Sequence, residues 1–146
     1  IPGLTVLRPA DAEETALAWL MAMERNDGPT ALALTRQGLE VFEKADPDWK
    51  HTAAKGAYIV KDTDGTPDVV VVATGSEVNL ALKAADKVSD KKVRVVSMFC
   101  REEFLRQDER FRSSLLPDSS RIVVAEAGVA FGWEGIASSP NAYFVK

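Results

Sequence analysis

Among the side chains able to do chemistry, Arg36 is the best placed. It follows Thr30-Ala31-Leu32-Ala33-Leu34-Thr35, a run of small residues that reads as a strand. In open α/β sheets, ligands collect at the carboxyl ends of strands. An arginine held there presents two parallel N–H donors that suit a phosphate. The competing reading is a surface arginine in an ordinary salt bridge. A second strand-end position is Thr74-Gly75-Ser76-Glu77, a strand-to-helix turn whose free amides could meet an anion. It lacks the Gly-Lys-Ser/Thr ending of a phosphate loop and the glycines of a dinucleotide fingerprint. Glu77 would also repel a phosphate, so capping of the helix by Ser76 is the expectation.

The remaining chemistry-bearing residues read as structural. Glu13/Glu14 and Glu102/Glu103 are neighbours in sequence and point to different sides of a helix, so neither pair converges on a substrate. Glu126, after a strand and close to Gly128, either faces a crevice or bonds to backbone groups of its own turn; the second reading is favoured. There is one cysteine, Cys100, and one histidine, His51. A Cys/His zinc cluster cannot be assembled from them, nor can an internal disulfide. A cytosolic location is therefore expected. His51 lies in the polar stretch DPDWKHTAAKG and reads as a solvated loop residue. Cys100 reads as a small packing residue, and Phe131-Gly132-Trp133 as a packing corner.

The elements that must position these groups alternate. Thr5 to Leu7 is a short strand. Asp11 caps a helix running to about Arg25, with Leu17, Leu20 and Met21 on one face. Gly28 and Pro29 stop it. With the Thr30–Thr35 strand, this makes a β-α-β unit whose strands are expected to be parallel. Residues 37 to about 55 show no sustained period and read as a linker between domains. From Gly56 onward come strands at Ala57–Val60, Val69–Ala73, Val93–Ser97 and Ile122–Ala125, and a last apolar run at Tyr143–Val145. A helix begins at Ser76, and two short ones are expected near 101–107 and 108–115. The β-branched run Val69–Ala73 suits a strand buried on both faces. The fold class is therefore α/β, with a doubly wound, mostly parallel sheet preceded by a partial β-α-β unit.

The 146 residues are 46% hydrophobic and 27% charged, ordinary for a globular chain. A net charge of −4 with scattered basic residues argues against a nucleic-acid module. No apolar run approaches the ~20 residues that span a bilayer, so no membrane partner is expected. The start at Ile1, without Met or a signal peptide, suggests a processed or excised piece.

In order, the strings LTVLRPADAEETALAW, DGPTALALTRQGL, KGAYIV, ATGSEVNLAL, KVRVVSMF and VVAEAGVAFGW resemble successive landmarks of the transketolase family. The resemblance runs from Leu4 to about Trp133, roughly nine-tenths of the chain. Transketolases are thiamine-diphosphate enzymes and homodimers that move a two-carbon ketol unit from a ketose phosphate to an aldose phosphate. The resemblance implies that residues 1–38 end a pyrimidine-binding domain, that 39–55 link two domains, and that 56–146 form most of a C-terminal domain, truncated at its end. It carries one binding residue onto this chain: the arginine of the LTRQ motif, Arg36, holds the substrate's terminal phosphate. The ligands of the cofactor's diphosphate and its magnesium or calcium ion lie upstream. The chain alone is therefore expected to bind no cofactor and to be inactive. Met98-Phe99-Cys100-Arg101 departs from the family's usual proline and tryptophan there. Deoxyxylulose-phosphate synthases and the β chains of 2-oxoacid dehydrogenases share the C-terminal fold, but LTRQ and ATGSEV favour transketolase. A non-catalytic regulatory or assembly module is the alternative from another class.

Overall fold

The run Val69–Ala73 forms the middle strand of a five-stranded sheet, as its unbroken apolar character requires. In the computed structural model, which describes residues 1–136 and 142–145, the chain order is β1 (Thr5–Leu7), α1 (Ala12–Glu24), β2 (Thr30–Leu32), α2 (Trp49–Ala54), β3 (Tyr58–Lys61), β4 (Val69–Ala73), α3 (Glu77–Ala85), β5 (Val93–Ser97), α4 (Arg101–Arg106), α5 (Glu109–Leu115), β6 (Arg121–Ala125) and β7 (Ala142–Val145). The large sheet has the order β3-β5-β4-β6-β7, and β1 pairs with β2 in a separate two-stranded sheet. All pairings are parallel except that of β3 with β5. The sheet is thus mostly parallel, with an antiparallel edge.

Side chains alternate across β4. Val70 and Val72 enter one core with Val96, Phe104, Leu115, Ile122, Val124 and Trp133. Ala73 and Val71 meet the other, which contains Val78, Ala81 and Ala85 of α3, Leu17 and Ala18 of α1, and Trp49 and Ala53 of α2. Helices therefore cover both faces, as a doubly wound sheet demands. The N-terminal β1-α1-β2 unit shares this second core, so it packs on the block that follows it. In the stretch Met98-Phe99-Cys100-Arg101, which departs from the family pattern, the first three residues are each at most 1% exposed and fill the interior.

Four local expectations are corrected. First, β2 ends at Leu32, not Thr35. Its partner β1 has only three residues and breaks at Arg8-Pro9; the last ladder bond is from the Ala33 N–H to the Leu7 carbonyl, at 2.9 Å. Second, Gly28 does not cap α1. The helix ends at an extended Arg25, whose guanidinium donates to Asp27, to the Pro29 carbonyl and to the Gly3 carbonyl. Third, Ser76 is helical and makes no side-chain cap bond; its hydroxyl donates to Glu77 instead. Fourth, the 37–55 segment is not structureless. It forms α2, and Trp49 of that helix is buried with its ring 5.4 Å from Tyr58.

Candidate functional site

Asp11 fixes the start of α1: its Oδ1 accepts the Glu14 N–H at 2.8 Å, and its carbonyl accepts the Thr15 hydroxyl at 2.7 Å. β2 runs parallel to β1, and the chain beyond Leu32 passes α1's first turn. Arg36 sits there on a bend, exposed, four residues past the strand rather than directly after it. Between α1 and this bend lies a cavity of about 240 Å³, walled by Asp11, Ala12 and Thr15 on one side and by Leu34, Thr35 and Gln37 on the other. Arg36 enters no ion pair with the described residues, whereas another arginine past a strand end, Arg8, pairs with two carboxylates through its Nη atoms.

Arg8 occupies the crevice at the carboxyl ends of β4 and β6, where an open α/β sheet would take a ligand. Its Nη1 donates to Glu126 Oε1 at 2.6 Å, and its Nη2 lies 3.8 Å from Glu77 Oε2. Glu126 also accepts from the Thr74 hydroxyl at 3.1 Å and from the Gly128 N–H at 3.0 Å. Glu126 thus bonds to backbone of its own turn, as favoured. It also clamps β1 to the end of the large sheet, a role that its sequence neighbours do not reveal.

Glu13 and Glu14 diverge as expected. Glu13 is exposed and pairs with Lys44 at 2.8 Å. Glu14 is fully buried and accepts from the Tyr58 hydroxyl at 2.7 Å, the Ser97 hydroxyl at 2.9 Å and the Ala10 N–H at 2.7 Å. Desolvation outweighs these bonds and, with the nearby Asp11 charge, lifts its carboxyl to about 7. The same burial, with the Glu14 charge beside it, pushes the Tyr58 phenol far up. The sequence did hold a signal for Glu14: it precedes Leu17 by three positions, on the apolar stripe of α1.

The other candidates remain apart. Cys100 is buried, its thiol donates to Glu102, and burial pushes it up to about 12, so it is no nucleophile near neutrality. His51 is exposed on α2, in a helix rather than a loop. Trp133 is buried under the Arg101 guanidinium at 5.3 Å, while Phe131 of the expected packing corner is 82% exposed.

A mostly parallel, doubly wound sheet shares one core with an N-terminal β-α-β unit, an α/β architecture built from two successive segments of the chain. Family models bear this out: "Transketolase-like TK C-terminal domain" matches residues 56–145, and "Transketolase, pyrimidine binding domain" matches residues 1–41. The chain belongs to the transketolase family. It is 47% identical over 134 residues to the transketolase of Treponema pallidum, covering 91% of this chain and 20% of that protein. Among solved structures, transketolase from Leishmania mexicana superposes with a TM-score of 0.86 at 40% identity, over 97% of this chain and 20% of that one. The Campylobacter jejuni enzyme does so at 0.83 and 30% identity, over 99% and 22%. The chain spans about a fifth of the length of the curated relatives it matches. These matches do not favour a deoxyxylulose-phosphate synthase or a 2-oxoacid dehydrogenase β chain.

Proposed function

We propose that these residues serve a transketolase that carries a two-carbon ketol unit from a ketose phosphate to an aldose phosphate, in the cytoplasmic pentose phosphate pathway, and that Arg36 binds the terminal phosphate of the substrate. One observation carries the assignment. Arg36 is exposed beside the end of β2 with no carboxylate of the described residues engaging it, so both N–H edges of its guanidinium are available to an oxyanion. On this reading residues 1–38 close the pyrimidine-binding domain, 39–55 cross between domains, and 56–146 form the C-terminal domain of a homodimer.

Thiamine diphosphate supplies the carbanion chemistry of the family when bound, together with magnesium or calcium on its diphosphate. The donor set of the described residues does not fit that group. No three His, Cys, Asp or Glu side chains converge to hold a metal among the described residues. The buried carboxylates are already committed, Glu14 to Tyr58 and Ser97, and Glu126 to Arg8 and Thr74. No cofactor step is therefore assigned to these residues. Their part is to bind and orient the phosphate end of a substrate. The chain by itself should yield no product above blank from xylulose 5-phosphate and ribose 5-phosphate with thiamine diphosphate and magnesium.

The test is Arg36→Ala in a full-length transketolase carrying this segment. A charged hydrogen bond is worth roughly 1.5–3 kcal/mol, so kcat/KM for phosphorylated donors should fall about 10- to 100-fold. Hydroxypyruvate, which has no phosphate, should be affected far less. An unchanged kcat/KM for phosphorylated donors would sink the assignment.

A further inference from the structure

Arg36 rides on a segment, residues 33–48, that has neither helix nor strand. A guanidinium on such a segment is useful only if its backbone is held, because the cost of ordering it would otherwise be drawn from the binding energy. Three ties hold it. At one end the Ala33 N–H reaches the Leu7 carbonyl of β1. In the middle, the Asn79 amide and Lys83 of α3 reach Glu40, each at 3.1 Å. That ion pair has side chains 64% and 75% exposed, so solvent and salt weaken it. The third tie is of another kind. The Lys44 ammonium meets the Asp11 carboxylate, with side chains 4% and 0% exposed.

Asp11 divides its two oxygens between helix and loop. Oδ1 caps α1, while Oδ2 takes Lys44 and the Phe42 N–H at 3.4 Å. The ammonium also lies 4.1 Å from the centre of the Phe42 ring. The far end of the Arg36 loop is therefore fastened to the first turn of α1, the helix whose N-terminus walls the cavity beside Arg36. Removing Lys44 strands the buried Asp11 charge, whereas neutralising Asp11 leaves the ammonium only Glu13, on the exposed side of α1 at 2.8 Å. Lys44 lies in the stretch, between residues 41 and 56, that neither family model covers.

We propose that Lys44, through its buried ion pair with Asp11, is a positioning residue for Arg36, setting the course of the loop that presents the guanidinium to a sugar-phosphate. This rests on the reading of Arg36 as the phosphate ligand.

Two measurements test it, on Lys44→Met and on Asp11→Asn, which keeps the helix cap because Asn caps as well as Asp. In the 146-residue chain, trypsin cutting after Arg36 is compared with cutting after exposed Lys87 in the turn that follows α3. The ratio should rise roughly fivefold or more in both variants, since proteolysis tracks local opening, and stay near the parental value in Lys44→Arg. An unchanged ratio in Lys44→Met and Asp11→Asn overturns the tether. In a full-length transketolase carrying the segment, both variants should raise KM for xylulose 5-phosphate about 5- to 20-fold. The turnover number and the hydroxypyruvate kinetics should change little, the pattern of lost substrate binding. Equal losses on both donors, or no loss on either, while Arg36→Ala still separates them, overturns the positioning role alone. If Arg36→Ala does not separate the donors, the phosphate reading itself falls.

Discussion

Glu14 carries its carboxyl into a site with three hydrogen-bond donors, none of them charged. The bonds favour the ionised form and burial opposes it, and burial wins by lifting the group from 4.5 to about 7. The consequence for stability has a definite sign. Between about pH 4.5 and pH 7 the folded chain holds a proton that the unfolded chain has released, so this group's contribution falls as pH rises and levels off above 7. A shift of this size corresponds to stability on the order of 3 kcal/mol. Glu14→Gln keeps an acceptor for Tyr58 and Ser97 and removes the ionisation. The melting temperature of the parent should fall between pH 5 and pH 7.5, and that component of the fall should vanish in the variant. Parallel pH profiles for the two proteins would show that Glu14 does not titrate in this range. The Asp11 charge close by adds to the rise, and no cation of the described residues pairs with Glu14.

At the scale of elements, the joint between α2 and β3 depends on one glycine. Gly56 has φ +105°, and a Cβ there would lie 2.1 Å from the Phe104 nitrogen and 2.5 Å from the Cys100 carbonyl oxygen. Both are backbone atoms, and Gly56 also accepts the Cys100 N–H at 2.8 Å, so neither side can give way cheaply. Gly56→Ala combines a strained conformation with overpacking and should cost about 3 kcal/mol or more. A urea midpoint within error of the parent would contradict the close approach. Elements built on long apolar runs, such as β4 and β6, could be read from the sequence because burial on both faces leaves no other composition. α2 could not. Trp49 to Ala54 is too short to show a period and too short to be helical alone; it forms because Trp49 docks on Tyr58. β2 is shorter than its sequence suggests for a related reason: Ala33 to Thr35 suit a strand, yet β1 offers them no partner. At the site, the small-residue run before Arg36 points to a strand end, and only the LTRQ resemblance points to a phosphate. The Arg8–Glu126 clamp and the Asp11–Lys44 tie were hidden, since each joins residues more than thirty positions apart.

At the scale of the whole molecule, the two family-model regions share one core. Leu7, Leu17 and Ala18 from the first region pack with Trp49, Tyr58, Val95 and Phe99. A unit spanning only Thr5 to Leu32 could not bury a core by itself; this one borrows the large sheet's. The β1-α1-β2 unit should therefore be as protected as the sheet it rests on. Amides of α1 should exchange slowly in a monomeric sample, at a rate independent of protein concentration, because the covering surface is within the chain. Leu17 is 7% exposed and central to that contact, so Leu17→Ala should cost about 2–5 kcal/mol. If the core is truly shared, the variant should lose protection in α3 and β4 as well as in α1, and melt in one transition. Loss of protection confined to residues 5–32, with β4 unchanged, would mean instead that the N-terminal unit is docked on a sheet that stands without it.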